Sequence, residues 1–398
     1  MFGIEIYTGN SEMDECIPTQ ATDTRPLHPL DPLTVSEIQR TREILKAEGK
    51  LSDTIRFSIL ELREPPKDLV LAFQGGDFPR VARGTLIDLA NGHSFETDVD
   101  LVAGTVAHFE QIATDTEHGQ PPILIEESEI AEAVVKADAG WRAAMKRRGL
   151  TDRDIEQIQV DPISPGHFVH ENYHGRRILR AVSYWRESVV TNGYAHPIEG
   201  VVAVVDTVAR KVIHLDDDGR NVPVPRRKFD YDDASLSKQR TDLKPLHISQ
   251  PEGVSFMVDG WRVEWQNWSF RVGFTPREGL VLYQVQIKDG ERIRPILYRA
   301  SVTEMAVPYA DPTPQHFAKC AFDAGEFGLG KMANRLELGC DCLGHIHYFD
   351  VPAADAFGTH MNMKNAVCLH EEDYGILWKH FEFRNGIHQS RRSRRLVI

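Results

Sequence analysis

The chain has 398 residues, of which 41% are hydrophobic and 26% charged, and its formal net charge is −13. That composition is typical of a globular protein in water. The acidic balance excludes general nucleic-acid binding, which needs a basic surface to displace counterions, and it excludes docking on anionic membranes. No apolar run approaches the roughly 20 residues of a membrane span. The first ten residues lack the basic cluster and apolar stretch of a secretory signal, so the expected compartment is intracellular, cytoplasmic or peroxisomal.

Taken in chain order, residues 1–28 read as a polar, Thr-rich leader. Pro26, Pro29 and Pro32 mark an extended approach, and Thr34 followed by Glu37 is a capping-box signal. The spacing of Ile38, Ile44 and Leu45 predicts a helix over 35–48, stopped by Gly49. β-type segments follow at 55–62, 69–73 and 81–89, with a hairpin turn at Asn91-Gly92 leading into 94–99. Pro121-Pro122 then separates a second unit of the same plan. A helix is expected over 127–146, closed by Gly149, with strands at 155–160, 177–185, 201–206 and 211–215. Each unit reads as a helix packed on an antiparallel sheet. Residues 216–244 are charged and read as a connector. From Pro245 onward the pattern is β: 261–270 and 279–287 alternate, and 297–307 is another strand, which suggests a sandwich. Arg391-Arg392-Ser393-Arg394-Arg395 leads into Leu396-Val397-Ile398. An apolar β-type run at that point reads as a domain cut in mid-strand, with an uncovered sheet face expected.

Few residues offer chemistry. Cys340-Asp-Cys342-Leu-Gly-His345-Ile-His347 resembles a metal cluster, because two histidines two apart on a strand point the same way. However, Cys-x-Cys is not the usual zinc knuckle, and no further pair completes four ligands nearby. A hairpin with one buried or bridged cysteine is the competing reading. In Phe322-Asp323-Ala324-Gly325-Glu326-Phe327-Gly328, Asp323 lies among glycines and apolar residues. A desolvated carboxylate there would have a raised pKa suited to proton abstraction, whereas a plain Asx turn would do nothing. His370-Glu371-Glu372-Asp373 lacks the second histidine one turn on that a zinc protease needs, since position 374 is Tyr374. Trp261, Trp265 and Trp268 read as core aromatics. Phosphate loops, nucleophile elbows and kinase motifs are missing.

Five stretches, in order and spacing, resemble the copper amine oxidase family. They are Tyr194-Ala-His-Pro-Ile-Glu-Gly200, Val307-Pro-Tyr309-Ala-Asp-Pro312, Ala321-Phe-Asp323-Ala-Gly-Glu-Phe-Gly328, Leu338-Gly-Cys340-Asp-Cys342-Leu-Gly344 and Cys368-Leu-His-Glu-Glu-Asp-Tyr-Gly375. The resemblance runs from about Pro29 to the last residue. It implies an α+β fold: two small cystatin-like domains at 29–118 and 119–222, a connector at 223–244, and an incomplete β-sandwich catalytic domain at 245–398. It also implies roles. Asp323 matches the base that takes the substrate's α-proton, and Tyr309 the tyrosine that holds the quinone. Ala321 stands where many members carry an aromatic gate, so a wide entrance is implied. Tyr194 matches a channel-lining residue. Cys342 and Cys368 match a disulfide, which leaves Cys340 as a buried thiol.

The family builds topaquinone from a tyrosine in an Asn-Tyr-Asp/Glu motif on the strand after the Arg-Arg run, and its three copper histidines come later still. No such motif precedes Ile398, so the expectation is that this chain alone holds neither copper nor quinone. The expected function is therefore a copper/topaquinone primary-amine oxidase, a homodimer in the family, present as an N-terminal fragment inactive by itself. A non-catalytic truncated paralogue acting as a binding or dimerisation partner is the alternative, and an independent metal module at Cys340, His345 and His347 is the third.

Overall fold

Thr34 and Glu37 form the box that their spacing predicts. The Glu37 amide donates to the Thr34 hydroxyl at 3.2 Å, and the Thr34 amide to the Glu37 carboxylate at 2.9 Å. Together they open helix α1 (Val35–Ala47). The computed structural model describes residues 26–116, 119–165, 171–218, 222–227, 230, 240, 242–317, 320–321 and 324–398. The expected leader lies almost wholly outside these residues, as does much of the connector.

The first unit continues with β1 (Ile55–Leu62), α2 (Lys67–Ala72), β2 (Val81–Asp88), β3 (Ser94–Asp100) and β4 (Thr105–Ile112), its strands in the antiparallel order β1-β2-β3-β4. Ile38 and Leu45 of α1 pack on Phe57, Leu60, Leu86 and Val99. Residues 69–73, expected as a strand, belong instead to α2. Pro66 sets the starting φ of that turn, and only Val70 is buried while Leu69 and Leu71 are exposed. A buried Arg80, just ahead of β2, grips Glu37 through two bonds of 2.6 and 2.7 Å. Its other donors reach the carbonyls of Pro29, Asp31 and Pro32.

The second unit repeats this plan with more helix: α3 (Ile125–Ala137), α4 (Ala139–Arg147) and α5 (Asp152–Gln157), then β5 (Gln159–Ile163), β6 (Ile178–Tyr184), β7 (Val201–Asp206) and β8 (Lys211–Asp217). Its sheet order is again sequential and antiparallel. The single helix expected over 127–146 breaks at Asp138, whose carboxylate caps α4 by accepting from the Trp141 amide at 2.7 Å. The strand expected over 155–160 starts four residues late, at Gln159. Thr151 and Asp154 form a capping box that makes 152–157 a helix, with Ile155 buried as part of the core rather than of the sheet. Trp141, Met145, Ile155, Leu179 and Val205 are fully or almost fully buried in one cluster.

The third part is built from β9 (Phe256–Asp259), β10 (Arg262–Trp265), β11 (Trp268–Thr275), β12 (Gly279–Asp289) and β13 (Arg292–Ser301), paired in the order β13-β12-β11-β10-β9. The strand expected over 297–307 therefore ends at Ser301. A segment of short pieces follows: β14 (Val307–Pro308), α6 (Pro314–Phe317), β15 (Cys320–Ala321) and α7 (Ala324–Phe327). Then come β16 (His347–Ala354), β17 (His360–Glu382) and β18 (Ile387–Val397) as a second sheet. Phe256, Val263 and Val272 of the first sheet pack on Phe349, Val367 and Leu369 of the second, the arrangement of a sandwich. Leu396 and Ile398 pack against this cluster as well, so the face expected to be uncovered there is partly covered. Trp261 stacks on Phe349 with centroids 5.6 Å apart, and the Trp265 indole donates to Glu371 at 2.9 Å, which makes them the core aromatics expected.

Candidate active site

Tyr309 follows β14, and residue 323 follows β15 by two. These two-residue strands pair antiparallel, Val307 opposite Ala321 and Pro308 opposite Cys320. The ladder therefore ties the segment bearing Tyr309 to the segment bearing Asp323. Asp323 itself lies outside the described residues, as does the side chain of Ala321. Directly after residue 323, α7 is fastened to the second unit. The Ile123 amide donates to the Glu326 carbonyl at 2.7 Å, the Ser164 amide donates to the Glu326 carboxylate, and Phe327 packs on the second unit's core.

On the Tyr309 side the backbone turns sharply. Ala310 has φ +56°, a left-handed conformation that costs a non-glycine residue energy. Asp311 accepts from the Thr313 amide at 2.8 Å and so starts the turn into α6. That turn brings His316 back beneath Tyr309, with ring centroids 5.9 Å apart. Next to His316, the Gln315 side-chain oxygen accepts from the Gly200 amide at 2.6 Å. Gly200 has φ +74°, and a Cβ there would strike Asp218 at 2.3 Å, so only glycine fits beside the 194–200 stretch.

Tyr194 lies on that stretch, held against the end of β6. Trp185 donates its amide to the His196 carbonyl, Ile198 donates to Ser183, and Pro197 bridges Tyr184. The Tyr194 ring meets the Tyr184 ring edge-on at 5.2 Å. Burial pushes the Tyr194 phenol up to about 12, helped by the neighbouring Asp161 carboxylate. Tyr184 is raised well above the ordinary tyrosine value, first by burial and then by Asp161, Tyr194, Tyr309 and Glu199 around it. Tyr184 thus lies between the ring of the expected channel residue and the charged groups around it. Nothing in the sequence singled out Tyr184. Its strand was legible, but which strand end would face α6 was not.

The cysteines correct one expectation. Cys342 is buried, with its sulfur 3.2 Å from the Tyr348 hydroxyl. Cys368 lies beside it, its thiol pushed up to about 12 by burial and by Cys342. The two cysteines are neighbours, Cys342 buried and Cys368 half-buried. Cys340, expected as a buried thiol, is exposed. The 337–341 turn closes on itself through Glu337 and Asp341, which points position 340 outward. His345 and His347 do not share a strand: β16 begins at His347, which is buried edge-on against Phe349 at 4.6 Å. Among the described residues, no group of three or more His, Cys, Asp or Glu stands together as a metal site. Glu371 is held by Gln250, the Ser255 amide and Trp265, and so acts as a clamp between the sheets.

A cavity of about 580 Å³ lies elsewhere, between the first unit and the sandwich. Phe57, Leu60 and Glu61 line it from one side, and Phe274, Met361 and Met363 from the other.

Two α+β units followed by a sandwich make up an architecture whose family three models identify. These are an AGAO-like N2 domain over residues 34–108, a copper amine oxidase N3 domain over 126–234, and the copper amine oxidase enzyme domain over 257–398. The chain belongs to the copper amine oxidase family.

It is 47% identical over 371 residues to a primary amine oxidase of Arthrobacter sp. (strain P1), a match that covers 93% of this chain and 56% of the relative. A peroxisomal copper-containing diamine oxidase of Nicotiana tabacum is 39% identical over 420 residues, covering 95% of this chain and 53% of that one. Among solved structures, the copper-containing benzylamine oxidase of Hansenula polymorpha matches with a TM-score of 0.78 at 27% identity, covering 93% of this chain and 59% of that one. The chain spans about half the length of the curated relatives it matches. Its fold is the α+β units-plus-sandwich fold of these structures, as expected from sequence.

Proposed function

We propose that the whole protein is a copper/topaquinone primary-amine oxidase, converting a primary amine, oxygen and water to aldehyde, ammonia and hydrogen peroxide. In this reading the present chain supplies the substrate channel and the base. The observation that supports it most is the ladder of Val307 with Ala321, which pairs the segment leading to Tyr309 with the segment leading to residue 323.

The residues present fit the quinone's side of such a site. Tyr309 offers a phenol that can donate to a quinone oxygen, and Asp323 offers a carboxylate that can take a proton from the substrate carbon. The quinone, when present, accepts the electron pair that the broken C–H bond releases. Copper ligands are not assigned to this chain. Tyr194 and Tyr184 wall the approach, and Ala321 leaves it wide. Domain limits of 29–118, 119–222 and 245–398, with a connector at 223–244, agree with sheets β1–β4, β5–β8 and the sandwich strands falling within them.

Three finer readings accompany this one. Cys342 and Cys368 are the partners of a disulfide, which intact mass without reductant would register as the loss of two hydrogens. The protein is a homodimer, because Ile376, Trp378, Phe381 and Phe383 of the long β17–β18 hairpin are exposed apolar groups. Sedimentation that gave a monomer would remove that reading. The compartment is intracellular, with the peroxisome favoured by the tobacco relative's name. Among the described residues, no helix is long and apolar enough to cross a membrane.

The test is Asp323→Asn in the protein from its native source. Loss of a general base should slow amine-dependent peroxide release by about 10²–10⁴-fold. An unchanged rate would remove Asp323 from the mechanism.

A further inference from the structure

The cavity of about 580 Å³ between the first unit and the sandwich is lined, among the described residues, by a single basic side chain, that of Lys331. Its walls are mainly apolar, with Phe57, Phe274, Phe327 and Met363 among them. Lys331 is fixed there by its backbone. The Leu329 amide donates to the Arg277 carbonyl at 2.8 Å, and the Lys331 amide to the Pro276 carbonyl at 2.9 Å. Gly330 between them lies so close to the turn joining β11 and β12 that a Cβ would stand 2.0 Å from the Thr275 carbonyl oxygen. The pairing of β1 with β2 skips Ser58, whose carbonyl accepts from Lys331 Nζ at 3.0 Å. Among the described residues, no carboxylate lies within ion-pair distance of Lys331. Of the acids lining the cavity, Glu126 is taken by Arg56 at 2.8 Å, and Asp355 by the amides of Phe357 and Thr359. Burial pushes the Lys331 ammonium down to about 8, with Glu127 pulling it up and Arg177 pushing it down further. About a tenth of the amine is then neutral at pH 7, and the neutral amine is the nucleophile. The cavity opens to solvent beside Met332, Phe357 and Met361, each about half exposed.

We propose that Lys331 is a covalent capture site for aldehydes with an apolar body, which it holds in this cavity as an imine. The apolar rim and walls take the aldehyde's chain, and an uncharged ligand enters without the cost of burying a charge. A carboxylate paired with Lys331 would keep the nitrogen protonated; without one, its lone pair is free to react. The Nζ lone pair attacks the carbonyl carbon and forms a C–N bond. The carbonyl oxygen then leaves as water, carrying both protons of the neutral amine, and a C=N bond remains. No oxidant or reductant is consumed, and water reverses the step. The activity proposed above releases an aldehyde and so supplies the reagent, but the site rests on the cavity and not on that activity.

The test incubates the whole protein with hexanal or, separately, with glyceraldehyde, at roughly pH 7.5, where an ordinary lysine is almost wholly protonated. Cyanoborohydride is present in both, and it reduces an imine to a stable secondary amine. Peptide mass mapping then compares Lys331 with the exposed Lys46 and Lys211. The expected result is that hexanal marks Lys331 at least about tenfold faster than it marks Lys46 and Lys211. That lead should shrink by about tenfold with glyceraldehyde, whose polar body gains nothing from apolar walls. Labelling of Lys331 by hexanal no faster than of the exposed lysines overturns the site. An equal lead with both aldehydes overturns it too, because the reactivity would then owe nothing to the cavity. Amine-dependent peroxide release is measured separately, so failure of this inference leaves the enzyme reading standing, and failure of the enzyme reading leaves the labelling result interpretable.

Discussion

The first and second units are built around the same bracket but put it to different use. In each, a glutamate in the first turn of the leading helix grips an arginine just ahead of the second strand, and the arginine also binds the carbonyls of a proline-rich approach. Glu37 and Arg80 form the first bracket, with Pro29 and Pro32; Glu127 and Arg177 form the second, with Pro121 and Pro122. The difference lies in what covers them. Glu37 keeps 14% of its side-chain surface, whereas Glu127 keeps none. Likewise β4 is mostly exposed, while every residue of β7 is buried. The strand β7 lies inside its sheet with helices on one side, whereas β4 is the edge of its own, so only the former is covered on both faces. A repeated plan thus keeps its wiring while the depth of its burial changes.

The largest effect should come from breaking the second bracket. Arg177→Met leaves the fully buried Glu127 charge without a partner and should cost about 3–5 kcal/mol in urea unfolding. Arg80→Met should cost less, about 2 kcal/mol, because water still reaches Glu37. If the two substitutions cost the same, burial is not what separates the units. A third effect, read through pH, belongs to the first unit's cavity. Burial there, reinforced by Glu278, raises Glu61 from 4.5 to about 7. Between those two values the folded protein binds the proton and the unfolded chain releases it. Stability should therefore fall as pH rises through this window, with the loss complete above pH 7. Glu61→Gln should flatten that part of the Tm-versus-pH curve, and an unaltered slope would place the titration elsewhere.

Much of this was legible from local patterning. The capping box at Thr34, the strand alternation at 261–270 and 279–287, and the doubled helix-on-sheet plan all follow from short-range chemistry. Boundaries failed where a cap or a proline overrode the apolar pattern, as at Asp138, Thr151 and Pro66. The brackets were not legible, since Glu37 and Arg80 lie 43 residues apart and meet only through the fold. The tyrosine cluster was half legible: motif resemblance pointed to Tyr194 and Tyr309, but Tyr184 and Asp161 carry no motif. Their neighbourhood comes from the pairing of β5 with β6, which sets Gln159 opposite Tyr184 and Asp161 opposite Val182. The thiol at Cys340 was misplaced because a turn's hydrogen bonds, invisible in composition, decide which way it points.

The pairing of Val307 with Ala321 is made by backbone groups alone. A change of side chain at position 321 therefore leaves the ladder intact, and with it the spacing between the segments of Tyr309 and Asp323. A ladder two residues long thus holds its register whichever side chain stands at position 321.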